Sequence, residues 1–244
     1  GLKDLFAADV DPARVAAIII EPVQGEGGFY VAPFAFLKAL RKICDEHGIL
    51  FIADEIQTGM ARTGKMFAIE HAGVVPDLIT MAKGLGGGFP LAAVTGRAEL
   101  MDAALPGGLG GTYAGSPVGL AAAGAVLDVI EEEDLCGKAV ELGNMIKTRL
   151  EAMQKRNEFA CLGDVRGLGN MVAVELVTDR VSKKPNAELT SAVIAKCQEK
   201  GLLLLTCGPN ANIIRFLSPL TTPAKLAKEG MDIFESALAE ATGV

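Results

Sequence analysis

Four short runs of this 244-residue sequence, Val15–Ile20, Leu50–Asp54, Leu78–Ala82 and Ala92–Thr95, are almost wholly apolar, and each meets glycine, proline or an acid within two residues of its end. Strands with one wet face alternate polar and apolar residues. These runs do not, so they read as strands of a mostly parallel sheet buried on both faces. Between the first two lies the turn-rich stretch Glu21–Gly28, then a helix over Pro33–His47. Phe36, Leu37, Leu40, Ile43 and Cys44 fall on one face of that helix, Pro33 suits its first turn and Gly48 its stop. Strand, helix and strand form a β-α-β unit, whose crossover is expected to be right-handed.

The second half reads differently. After the glycine-rich Pro106–Gly115, an alanine-rich helix over Pro117–Glu132 is apolar almost all round and is expected to be buried, at a subunit interface. A more polar helix spans Lys138–Lys155. From Gly163 the order is strand, strand, helix, strand, strand, helix, with strands at Gly169–Leu176, Leu202–Thr206 and Ile213–Phe216. Asn186 suits the cap of a helix over Ala187–Lys200, and Thr222-Pro223 the start of the last helix. The change of pattern divides the chain into residues 1–150, part of an α/β large domain, and residues 151–244, a small α+β domain.

Half the residues are hydrophobic and mean hydropathy is +0.35, enough to build a substantial core. A formal charge of −7 argues against nucleic acid or anionic membrane as partners and points to small molecules. The five cysteines form no C-x-x-C pair and the two histidines no ligand cluster, so neither a disulfide framework nor a metal site is expected. No apolar stretch reaches membrane-spanning length and no signal peptide opens the chain, so a soluble, cytoplasmic protein is expected.

Chemistry enters at Lys83. The run Leu78–Ala82 delivers a lone amine into Gly84-Leu85-Gly86-Gly87-Gly88, the way a Schiff-base lysine is presented. Partial desolvation at a strand end would favour the neutral, nucleophilic amine. Asp54 ends a second strand where parallel α/β sheets place their ligands. A carboxylate facing the pyridine nitrogen of pyridoxal phosphate, with a lysine on its aldehyde, keeps the ring an electron sink. Taken singly, Lys83 also fits a lysine reaching water and Asp54 a capping carboxylate.

With Glu21–Gly28, Asp54-Glu55-Ile56-Gln57-Thr58-Gly59, Arg62-Thr63-Gly64, the Lys83 strand and Gly110-Gly111-Thr112-Tyr113-Ala114-Gly115 in this order, the chain resembles class III pyridoxal-phosphate aminotransferases of fold type I. Gly163–Gly169 and Ile213–Phe216 extend the resemblance over essentially the whole chain. It implies pyridoxal 5'-phosphate as cofactor and amino transfer from an ω-amino acid such as 4-aminobutyrate to 2-oxoglutarate. Lys83 would anchor the cofactor and shuttle the proton, Asp54 would pair with the ring nitrogen, and Gln57 would bond near the 3′ oxygen. Thr112 would reach the cofactor phosphate of a neighbouring subunit, implying a homodimer or homotetramer. Arg215 would grip an α-carboxylate, and Glu26 would close onto Arg215 when the substrate has none.

The resemblance also implies an N-terminal half that has no counterpart here. The large-domain sheet is then expected to be incomplete, with an exposed edge and an uncovered apolar face, and this chain alone to be poorly soluble or inactive. Other class III activities, on 5-aminovalerate, acetylornithine or ornithine, and a non-catalytic interaction module remain as alternatives.

Overall fold

The computed structural model describes residues 1–244, which gather into two compact units. One comprises Gly1–Pro22, Ala32–Met60 and Lys65–Glu133; the other comprises Val23–Val31, Ala61–Gly64 and Asp134–Val244. In chain order the elements are α1 (Leu2–Ala8), β1 (Ala17–Ile20), β2 (Val23–Gln24), β3 (Tyr30–Val31), α2 (Phe34–His47), β4 (Leu50–Asp54), β5 (Leu78–Met81), β6 (Ala93–Gly96), α3 (Ala98–Met101) and α4 (Pro117–Glu132). There follow α5 (Leu135–Gln154), β7 (Leu162–Leu168), β8 (Met171–Leu176), α6 (Ala187–Glu199), β9 (Leu205–Cys207), β10 (Ile213–Phe216) and α7 (Ala224–Thr242).

The first unit is α/β. Its sheet runs β1-β4-β5-β6, with β1, β4 and β5 parallel and β6 antiparallel to β5. Pro33 stands just outside α2, and Gly48 at φ 68° closes the helix in the left-handed conformation that a Cβ would oppose. Leu37, Leu40 and Cys44 of α2 form one core with Ile49, Phe51 and Ala53. Fully burying Leu37 contributes on the order of 2 kcal/mol, and truncating it to Ala would cost about 2–5 kcal/mol.

Burial on both sheet faces does not hold throughout this chain. Ile18 and Ile20 pack toward the α2 core, while Ile19 between them is 58% exposed. All four residues of β6, an edge strand, are exposed. Within the single chain the alanine-rich α4 is covered on one side: Gly119, Ala123 and Ile130 are buried, and Val118, Leu120 and Leu127 face outward. Its inner side backs the turn after β5, where a Cβ on Gly87 would lie 2.9 Å from Val126.

In the second unit the sheet runs β7-β8-β10-β9 and every pairing is antiparallel. Period-two alternation divides its faces. Val172, Val174, Leu176, Ile214 and Phe216 join the core shared with α5, α6 and α7. Met171, Ala173 and Ile213 pack instead with Val23 and Phe29 of the β2–β3 hairpin. The hairpin occupies the stretch expected to be turn alone, and two-residue strands are too short to show periodicity. The strand expected at Leu202–Thr206 is β9, shifted to Leu205–Cys207; Leu202 and Leu204 pack against the helical core from irregular backbone.

All five cysteines are free, and burial pushes the thiols of Cys197 and Cys207 up to about 11, which keeps them protonated at neutral pH. No helix is long and apolar enough to cross a membrane.

Candidate active site

In the first unit, the parallel register sets Asp54 opposite Thr80, so the acid at the end of β4 stands beside β5 just before that strand leads into Lys83. Its Oδ1 accepts from the Ile56 N–H and the Thr80 hydroxyl, both at 3.1 Å, and Oδ2 has no partner within the chain. The side chain is thereby held in place with one oxygen still available. Lys83 opens a tight 3₁₀ turn, Lys83–Gly86, and adopts φ 45°, a left-handed conformation costly to a residue with a Cβ. Leu85 and Gly86 are buried, whereas Lys83 is exposed, so the expected desolvation is not present in this chain. No carboxylate of the chain pairs with its amine.

Gln57 lies half-buried in the turn that follows Asp54, with its side-chain oxygen enclosed. Thr112 stands on the exposed loop between α3 and α4 and makes no hydrogen bond to Lys83, Asp54 or Gln57. Glu55, which the sequence reading passed over, is the buried member of this loop. Burial pushes its carboxyl up, against hydrogen bonds from Thr58, Ala68 N (3.0 Å) and Ile69 N (2.7 Å) that favour the charged form. Its place in the loop is structural: it ties the end of β4 to the 3₁₀ turn Ala68–Ala72.

The second unit brings together Glu26 and Arg215. Glu26 sits at the tip of the β2–β3 hairpin, and its Oε1 meets Nη1 of Arg215 on β10 at 2.6 Å. The Arg215 side chain is 13% exposed and that of Glu26 71%. Such a half-wet pair is worth on the order of 1 kcal/mol and is easily opened. Nε of Arg215 is buried without an acceptor, so the guanidinium has a donor that Glu26 leaves unused.

Arg166, on β7, is the residue here to which sequence reading gave no role. Its Nε donates to the Gly28 carbonyl at 2.8 Å and its Nη1 to both Asp164 and Glu175 at 2.8 Å. The guanidinium lies 3.8 Å above the Tyr30 ring, and the Tyr30 hydroxyl donates to the same Glu175 oxygen. Burial, then that bond to Glu175, pushes the Tyr30 hydroxyl pKa up and keeps it a neutral donor. Arg62 is a second buried cation, brought down to about 10 by burial, and it donates to the carbonyls of Ser218 (2.7 Å) and Asn170 (3.3 Å).

Pyridoxal phosphate requires an amine for its aldehyde and an acid for its ring nitrogen. Lys83, unpaired, and Asp54, with a free oxygen on the adjoining strand, fit that requirement within one unit. The sequence pattern of the family Aminotransferase class-III matches residues 2–238. Over 237 residues the chain is 52% identical to the 4-aminobutyrate aminotransferase GabT of Escherichia coli (strain K12), covering 97% of this chain and 55% of that protein. It is 53% identical over 232 residues to the 5-aminovalerate aminotransferase DavT of Pseudomonas aeruginosa, covering 95% of this chain and 54% of that one. A solved transaminase from the marine bacterium Virgibacillus superposes with a TM-score of 0.91 at 32% identity, covering 99% of this chain and 56% of the other. The chain thus spans about half the length of the curated relatives it matches.

Proposed function

The chain belongs to the class III aminotransferases, a pyridoxal-phosphate-dependent family of fold type I, and on that premise we propose that it works in amino transfer from 4-aminobutyrate to 2-oxoglutarate, giving succinate semialdehyde and glutamate. The observation that carries this reading is the shared sheet edge of Asp54 and Lys83. When bound, the cofactor supplies an aldehyde that condenses with amines and a pyridinium ring that accepts electron density. Lys83 would hold that aldehyde and, when free of it, would move the proton at the substrate carbon. Asp54, oriented by Ile56 and Thr80, keeps the ring nitrogen protonated through its free oxygen. Gln57 bonds near the 3′ oxygen. Thr112, exposed and without a hydrogen bond of its own, serves the phosphate of a neighbouring subunit's site, which makes the working form a homodimer or homotetramer in the cytoplasm.

Arg215 binds the α-carboxylate of glutamate or 2-oxoglutarate through the forked N–H donors of its guanidinium. With 4-aminobutyrate, which has no α-carboxylate, Glu26 returns to Arg215 and neutralises it. The exposure of the Glu26 carboxylate in this ion pair supports the alternation. A relative named for 5-aminovalerate is as similar as one named for 4-aminobutyrate, which favours 5-aminovalerate as the second donor to consider.

The test has two stages. Added pyridoxal phosphate should develop an absorbance band at about 420 nm, and borohydride should then fix the pyridoxyl group on Lys83, as peptide mass mapping would report. Label on another lysine, or none in the holoenzyme, rejects the assignment. Rates with 4-aminobutyrate, 5-aminovalerate and ornithine, measured with 2-oxoglutarate as acceptor, then rank the donors.

A further inference from the structure

The register of the second unit's sheet sets Arg166 opposite Ala173 on one side and Arg215 opposite the same Ala173 on the other. Directly paired residues point to the same face, so the two arginines flank one small side chain beneath the hairpin. They meet different parts of it. Arg215 reaches the Glu26 carboxylate at the tip, and Arg166 holds the Gly28 carbonyl where the tip turns back into β3. The Glu26 backbone is held as well, its carbonyl accepting from Gly208 N at 2.9 Å.

We propose that Arg166 is a positioning residue for Glu26: it clamps the hairpin tip so that the α-carboxylate site opens by rotation of the Glu26 side chain alone, over a backbone that stays in place. This rests on the reading of Glu26 and Arg215 given above. Three features of the clamp support it. Arg166 is itself immobilised, since its side chain is 10% exposed and bonded to Asp164 and Glu175. The Tyr30 ring under its guanidinium fixes the first residue of β3, and the hydroxyl of that ring is tied to Glu175. The tip has no slack either: a Cβ on Gly28 would lie 2.7 Å from Ile213, and Phe29, at φ 59°, is fully buried. Glu26, by contrast, has a mostly exposed side chain on a pinned backbone. Its carboxylate therefore returns to Arg215 from a constant origin after each carboxylated substrate leaves.

The experiment compares Arg166→Met, Glu26→Gln, their double variant and Arg215→Met in the holoenzyme that carries this chain. Arg166→Met is expected to lower kcat/KM for 4-aminobutyrate about tenfold and to leave that for glutamate within about twofold, because the lost hold on the Gly28 carbonyl acts only where Glu26 is needed. The double variant should be no worse than Glu26→Gln, because Arg166 acts through Glu26. Equal losses on both substrates, or losses that multiply in the double variant, overturn the proposal. Should Arg166→Met fail to fold, Arg166→Lys carries the same comparison, since it keeps the cation beside Asp164 and Glu175 but lacks the fork that also serves Gly28. A readout independent of activity is amide exchange in the same holoenzyme. The Gly28 and Phe29 amides, bonded to Gly25 and Gln24, should exchange about tenfold faster in the variant, with Ile214 and Arg215 unchanged. If Gly28 and Phe29 keep their protection, the clamp is absent. An Arg215→Met variant with unaltered KM for glutamate would instead reject the reading beneath the proposal, whatever Arg166 does.

Discussion

Lys83 holds φ at 45° in a turn whose other members leave it little choice. Leu85 N bonds to Ala82 O at 3.0 Å, Gly87 N bonds to Gly84 O at 3.2 Å, and Leu85 is buried. For a residue with a Cβ the left-handed region costs about 1–2 kcal/mol, and glycine recovers it at the expense of a more flexible unfolded chain. Because Lys83 is exposed, its replacement forfeits no packing. Lys83→Gly is therefore expected to stabilise the chain by roughly 0.5 kcal/mol, read as a higher urea midpoint, while abolishing borohydride labelling. A lower midpoint would contradict the strain argument. The pattern in the sequence marks Lys83 through the glycines around it, but not its dihedral, which arises only when Leu85 and Gly86 are buried in the tertiary structure.

Elements differ in how far their own residues announce them. α2 carries its stop in Gly48, and α6 its cap in Asn186, whose side chain accepts from Leu189 N at 3.1 Å, so both fall within a residue or two of where capping rules set them. The hairpin β2–β3 has no such local signature. Its stability comes from Arg166 and Gly208, far along the chain, and from the small cluster around Ala173. α5 shows the same dependence on distant partners. A Cβ on Gly143, in the middle of this helix, would stand 1.8 Å from the Gly169 carbonyl oxygen in the β7–β8 turn. Ala is the better helix former by about 1 kcal/mol, so local propensity predicts that Gly143→Ala stabilises. The contact reverses the sign. The variant is expected to lose about 2 kcal/mol, visible in thermal unfolding.

At the scale of the molecule, the Lys83 edge has a counterpart at the other end of the same strands. Asp77, just before β5, is 5% exposed and accepts from Phe51 N (2.7 Å), Arg41 (2.7 Å) and Arg97 (2.9 Å), joining α2, β4 and the end of β6. Burial alone would raise its carboxyl, but the bonds from Phe51, Arg41 and Arg97 win and hold it below the ordinary 3.8. A depressed carboxyl stabilises the fold above its unfolded pKa, and that contribution is lost as pH falls through the folded value. Denaturant midpoints should thus hold down to about pH 5 and fall as the pH is lowered through 3.8 and below, and Asp77→Asn should start lower and fall less steeply. An identical slope in the variant would remove Asp77 from the account of acid sensitivity. What the sequence by itself determined is the mostly parallel α/β sheet and its family, because apolar runs, caps and glycine motifs are local and survive without neighbours. What only the tertiary structure decided is which face of each run stays wet, the left-handed lysine, and the gathering of Val23–Val31 and Ala61–Gly64 with the later half of the chain. The last of these depends on close approaches between residues a hundred or more positions apart, such as Glu26 with Arg215 and Gly28 with Arg166, and no short window along the sequence contains both partners.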